Sequence, residues 1–92
     1  MTITAKIHRI LPGGRKLKAI AEIVLDDVFV IHNVRVISGP RGLFAAMPSY
    51  IDRNGGYRDY CFPITREFGE AIDNAVAAAY EKACEELQYQ LQ

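Results

Sequence analysis

The residues of this chain best suited to chemistry are its cations and its rings. Lys6, Arg9, Arg15, Lys16 and Lys18 crowd the N-terminal stretch, and Arg41, Arg53 and Arg58 follow in the middle of the chain. Such side chains bind phosphate oxygens, and affinity gained that way falls as salt rises. Tyr50, Tyr57 and Tyr60 flank the segment that holds Arg53 and Arg58. An aromatic ring beside an arginine can stack an unpaired base, worth about 1–3 kcal/mol per base. The candidate nucleic-acid contacts are therefore Arg53, Arg58, Tyr50, Arg15, Lys16, Lys18 and Arg41. The competing role for the cations is ordinary solvated charge. For the tyrosines it is packing in strands or at an interface, expected above all for Tyr60, which shares a strand face with Phe62.

The other reactive residue types form no set. His8 and His32 have neither a carboxylate nor a second histidine at metal-ligand spacing along the chain, so no metal and no acid–base chemistry is expected of them. His32 falls among the valines of its segment and reads as a core or interface histidine with its ring nitrogens hydrogen-bonded. Cys61 and Cys84 lie far apart with no Cys-x-x-Cys spacing and read as small buried hydrophobes, not a disulfide. Asp26-Asp27 is a turn before it is an acid pair. There is no Gly-x-Ser-x-Gly, phosphate-binding loop, dinucleotide fingerprint or calcium loop. An enzyme is not expected, nor a cofactor or a small-molecule substrate.

Composition supports that reading. The chain has 92 residues, half of them hydrophobic and 24% charged, with a formal net charge of zero. That length suits one domain with a thin core. No apolar run approaches the roughly 20 residues of a membrane span, and no secretory signal is visible, so a cytoplasmic protein is expected. The neutral total hides an asymmetry. Residues 1–66 carry ten Lys/Arg against five Asp/Glu; residues 67–92 carry Lys82 against six acids. A basic body and an acidic tail can mark a polyanion-binding face.

The elements that must position these residues follow from hydrophobic period. Ile3 to Ile10 alternates as a strand, and Pro12-Gly13-Gly14 turns the chain. Leu17, Ala19, Ala21, Ile23 and Leu25 define one face of a second strand. The third, Val28 to Ile37, is apolar on both faces: Val28, Val30, Val34 and Val36 on one side, Phe29, Ile31 and Ile37 on the other. Leu43 to Met47 is a fourth strand, with Phe44 expected in the core. Asn54-Gly55 marks a turn before a fifth strand from Tyr57 to Phe62. Then Phe68, Ile72, Val76, Tyr80, Ala83, Leu87 and Leu91 recur at helical spacing, with Thr65 as the N-cap.

The expected fold is α+β: an antiparallel sheet of about five strands over residues 3–64 and a long amphipathic helix over residues 66–90. One helix covers only one face of a sheet. The other face or an open edge needs a second cover, and another copy of the chain is the simplest one, which predicts a homodimer.

Three segments then carry a resemblance. They are Arg15-Lys16-Leu17-Lys18-Ala19-Ile20-Ala21, Phe29-Val30-Ile31-His32-Asn33-Val34-Arg35-Val36-Ile37 and Gly42-Leu43-Phe44-Ala45-Ala46-Met47-Pro48-Ser49. With Tyr57-Arg58-Asp59 and Pro63-Ile64 in the same order and spacing, the chain resembles the stage V sporulation protein G (SpoVG) family from about Ile3 to about Tyr80. The resemblance implies a cytoplasmic bacterial regulator of septation and, in spore formers, of sporulation. It implies a dimer that binds DNA or RNA, without catalytic activity. In the family two basic residues commonly follow Met-Pro-Ser; Tyr50 and Ile51 stand there in this chain, with Arg53 close by and Arg58 matching. The alternative expectation is a dimeric protein-interaction module of the division machinery that does not touch nucleic acid.

Overall fold

The computed structural model describes residues 1–91, with side chains through Leu87. Six strands precede one helix: β1 (Ile3–Ile10), β2 (Leu17–Leu25), β3 (Phe29–Gly39), β4 (Gly42–Ala46), β5 (Ser49–Ile51), β6 (Tyr57–Asp59) and α1 (Arg66–Leu91). The first four form an antiparallel sheet in sequence order, and β5 and β6 pair as a separate two-stranded ribbon. The α+β architecture is as expected. The fifth expected strand is shorter and joins no main sheet. It pairs with Ser49–Ile51, a strand that Pro48 and the brevity of the segment conceal.

The connections are tight for local reasons. Asp26 and Asp27 both adopt left-handed φ, 51° and 57°, as a two-residue hairpin turn with right-handed strand twist requires. Asp26 also accepts a hydrogen bond from the Thr2 backbone N–H at 2.7 Å, tying the start of β1 to the turn. Between β3 and β4, Gly39 lies opposite Gly42. A Cβ on Gly39 would come within 2.9 Å of the Phe44 ring, so the glycine makes room for that ring.

The helix is capped as its sequence demands: the Thr65 hydroxyl accepts from the Phe68 backbone N–H at 3.2 Å. Its Ile72 and Val76 meet Ala19, Ala21, Ile23, Val34 and Val36 of the sheet, and Met47 closes the same core. Phe68 and Tyr80 pack at its margin. The alanines at the centre of β2 let the helix approach closely. The two cysteines are free and half-buried. Cys84 hydrogen-bonds Tyr80, which raises the phenol above its ordinary range. Leu91, expected on the apolar face, lies outside the described side chains. Among the described residues a single polar bond anchors the helix to the sheet edge: Asp73 Oδ1 accepts from the Ala45 backbone N–H at 2.9 Å.

Three register shifts interrupt the sheet, and they change which residues share a face. Along β1, Ile7 pairs with Ala21 but Arg9 pairs with Ile20, so His8 is an extra residue. Along β2, Lys18 is extra between the Leu17–Ile37 and Ala19–Val36 pairs. Along β3, Val34 pairs with Ala21 and Ile31 with Ile23, which sets His32 and Asn33 together against Glu22. Asn33 takes the left-handed φ of 60° that such a bulge needs, and asparagine tolerates it.

The third shift corrects strict alternation. Ile31 joins Val34 and Val36 beneath the helix, while Val30 pairs with Val24 on the other face. His32 is not a core histidine among the valines; it stands exposed on the uncovered face. Phe44, expected in the core, also faces away from the helix and is 38% exposed.

Truncating the core should report on this arrangement. Ile23→Ala removes a fully buried side chain at the centre of the helix contact and should cost about 2–5 kcal/mol in urea denaturation. Asp73→Ala leaves the Ala45 N–H unpaired at the sheet edge and should cost about 1–3 kcal/mol.

Candidate nucleic-acid interface

The β5–β6 ribbon carries Tyr50, Arg53 and Arg58 together. Its turn is built around Asp52. Oδ1 accepts from the backbone N–H groups of Asn54 and Gly56, both at 2.9 Å. The Asp52 N–H donates to the Gly56 carbonyl at 2.8 Å, and Gly55 sits at φ 82°. Oδ2 accepts from Arg58 Nε at 3.1 Å. The Arg58 bond, then the Gly56 and Asn54 amides, hold the Asp52 carboxyl below its ordinary value of 3.8. The loop between the strands is thus ordered by one carboxylate, although it lies in solvent.

This pairing gives Arg58 two duties. Its Nε serves the loop, while its side chain remains 68% exposed and its two terminal nitrogens are free of that bond. Tyr50 lies directly across the ladder from Arg58, and its ring meets that of Tyr60 with centroids 4.9 Å apart. Arg53 is exposed at the turn and has no acidic partner among the described residues. Ring, braced guanidinium and free guanidinium therefore share one small projection.

The base of the ribbon is held by Arg35 of β3. Its Nη2 donates to the Met47 carbonyl at 3.0 Å and to Ser49 Oγ at 3.3 Å. The Tyr60 N–H closes the ribbon on the Pro48 carbonyl at 2.8 Å. Arg35 was not among the sequence candidates. Its role appears only once β3 is paired, because its partners lie 12 and 14 residues further on.

The remaining candidates sit elsewhere. Arg15 and Lys16 lie in the β1–β2 connection and Lys18 on the bulge that follows, at the end of the sheet where the Ser38 N–H bonds the Lys16 carbonyl. Arg41 occupies the β3–β4 turn at that same end of the sheet, apart from the Arg53–Arg58 ribbon with which its place in the sequence groups it. Arg41 also lines a hollow with Glu70 and Asp73 of the helix. The acidic helix thus begins beside one of the basic turns. It covers the back of the sheet and ends near Ile7–Ile10 of β1.

Strand pairing also assembles a group that linear spacing hides. His8 from β1 and His32 from β3 converge on Glu22 of β2, each with a ring nitrogen 3.3 Å from Glu22 Oε2. Neither histidine has a carboxylate or a second histidine at ligand spacing along the chain; the neighbours come from other strands. The β3 bulge lies opposite Glu22 and the β1 bulge between the Ala21 and Ile20 pairs, and both carry a ring that reaches Glu22.

The antiparallel sheet followed by one long helix is the fold expected from the sequence. The SpoVG family model matches residues 1–82. A protein of Desulforudis audaxviator named as a SpoVG septation protein is 46% identical over 76 residues, covering 83% of this chain and 85% of its own. One of Treponema denticola, named likewise, is 48% identical over 83 residues, covering 89% and 88%. One of Clostridium botulinum strain Alaska E43 is 42% identical over 87 residues, covering 94% of each chain. This chain belongs to the SpoVG family. SpoVG proteins are not known enzymes, and no helix among the described residues is long and apolar enough to cross a membrane.

The brace at Asp52 has a pH signature. A carboxyl held low in the folded ribbon stabilises it above the ordinary carboxylate value, and that contribution disappears as pH falls through the lowered value. In an NMR titration, the Gly56 and Asn54 amide protons should move upfield together at a midpoint below 3.8. Arg58→Gln, which removes the largest cause, should shift that midpoint up.

Proposed function

We propose that this protein is a homodimeric, cytoplasmic nucleic-acid-binding regulator associated with septation and, in spore formers, with sporulation. The observation that carries the reading is the β5–β6 ribbon. It presents Arg53, Arg58 and Tyr50 to solvent from the segment after Met47-Pro48-Ser49, where the family resemblance puts basic residues. Arg53 and the terminal nitrogens of Arg58 supply phosphate contacts, and Tyr50 supplies a stacking surface for an unpaired base. Arg15, Lys16 and Lys18 add a second basic region at the end of the sheet. Arg41 adds less, because Glu70 and Asp73 line the same hollow.

The dimer is supported by the apolar surface the helix leaves bare. Val30 and Phe44 are exposed on the uncovered face, and Ile51, Tyr57, Phe62 and Ile64 are exposed on and beside the ribbon. Pairing two copies doubles the basic ribbons, which lets a chain of zero net charge build a positive groove. The same apolar residues favour the second reading, a dimeric interaction module that docks another protein and leaves nucleic acid untouched.

Fluorescence anisotropy with labelled single-stranded RNA and duplex DNA, at about 50 and 200 mM salt, separates the two. Binding should weaken steeply with salt. Arg53→Ala/Arg58→Ala in both copies of a dimer should flatten the duplex log–log salt slope by up to about 3–4, one contact contributing about 0.9. Arg53→Ala alone should act in the same direction without disturbing the Asp52 brace. Tyr50→Ala should weaken single-stranded RNA by about 1–3 kcal/mol per lost stack and leave the salt slope unchanged. Binding weaker than about 10⁻⁴ M at both salts would favour the protein-interaction module.

A further inference from the structure

On the face of the sheet opposite the helix, three side chains from three adjacent strands meet at one point. His8 Nε2 and His32 Nδ1 each lie 3.3 Å from Glu22 Oε2, and the three donor atoms lie within 4.8 Å of one another. We propose that His8, Glu22 and His32 form a binding site for a divalent transition-metal ion of the zinc type.

Contacts of 3.3 Å fit a metal site as well as they fit a long hydrogen bond. Metal–nitrogen and metal–oxygen bonds to zinc run about 2.0–2.2 Å, which at tetrahedral angles sets neighbouring ligand atoms roughly 3.3–3.4 Å apart. Both histidine–glutamate separations match that spacing. The two nitrogens need only draw together modestly to complete the triangle. In the single chain the histidine side chains are 54% and 64% exposed, while the Glu22 side chain is only 15% exposed.

The backbone supports the same conclusion. A regular ladder puts one residue opposite another. Here β3 has an extra residue opposite Glu22, and on β1 His8 is extra between the Ala21 and Ile20 pairs; both rings reach Glu22. Asn33 adopts left-handed φ to complete the second bulge. Bulges that re-aim side chains toward a common point mark sites more often than defects.

The donor set fixes the class of ion. Imidazole nitrogens suit zinc, nickel, copper and iron, whereas magnesium and calcium prefer all-oxygen shells. Lys6 is the register partner of Glu22, and Arg9 lines the hollow beside His8 and His32. Those positive charges oppose any cation, so one bound here must be held by strong nitrogen bonds and not by charge alone. Three protein ligands leave a coordination position for water or another donor. The ion would also clasp β1, β2 and β3 together.

The test uses the tag-free chain with Zn²⁺, Ni²⁺ or Co²⁺ alone. Calorimetric titration should give one ion per chain, and Zn²⁺ should raise the melting temperature. Co²⁺ should show d–d absorption without a thiolate charge-transfer band. His8→Ala should weaken Zn²⁺ by more than about 100-fold, beyond the roughly 10–100-fold cost of losing an outer-shell partner. Glu22→Gln, which keeps the side chain's size, should weaken it comparably. Circular dichroism verifies that both variants fold, and Cys61→Ser/Cys84→Ser should bind as the wild type does. No saturable binding to the wild type would overturn the proposal. So would Zn²⁺ affinity unchanged by His8→Ala, loss of binding in the cysteine variant, or Mg²⁺ bound as tightly as Zn²⁺. The readout needs no nucleic acid, so its outcome is independent of the regulatory reading above.

Discussion

One helix has to serve a four-stranded sheet, and nearly every other feature follows from that shortage. The helix settles where the sheet is smoothest, over Ala19 and Ala21, and Ile72 and Val76 meet the β-branched residues around them. Burying that contact is what holds the fold together. It also divides the strands into residues that must be apolar and residues free to be anything. Glu22, His8, His32 and Arg35 all occur on positions the helix does not use. The polar side chains of the sheet thus fall on the side that the helix does not cover.

The sheet adapts to this division through its bulges. A strand without them would alternate strictly, and β3 would put His32 beneath the helix with Val34 and Val36. The extra residue at His32–Asn33 breaks the alternation at one point, returning the strand to register with its polar residue outside. The left-handed backbone at Asn33 is a small local strain offset by a well-packed Ile31.

This explains how far the sequence could be read. Period alone located the first four strands, the helix and the Thr65 cap, because each depends on neighbours within a few positions. Asp26-Asp27 and Asn54-Gly55 announced their turns for the same reason. The faces of β3 were not legible, since a bulge is a property of two paired strands and neither sequence contains it alone. Phe44 was misplaced because an apolar ring gives no sign of which face it occupies. Its seat over Gly39 depends on the β3–β4 register. The Ser49–Ile51 strand is too short for any period to show. In the ribbon, the local Arg53–Arg58 cluster was visible, but the Arg35 strut was not. The His8–Glu22–His32 group, spread over three strands, was invisible for the same reason.

The bond from Ala45 to Asp73 has a further meaning at the level of many molecules. β4 is a sheet edge, and an edge strand offers its unpaired amides to any other chain that arrives extended. By claiming one of those amides, the helix removes a foothold for strand addition on that side. The opposite edge, β1, is kinked by the extra residue at His8 and carries Lys6 and Arg9. Neither edge is a flat, uncharged template, so the sheet is guarded against growing by edge-to-edge stacking into fibrils.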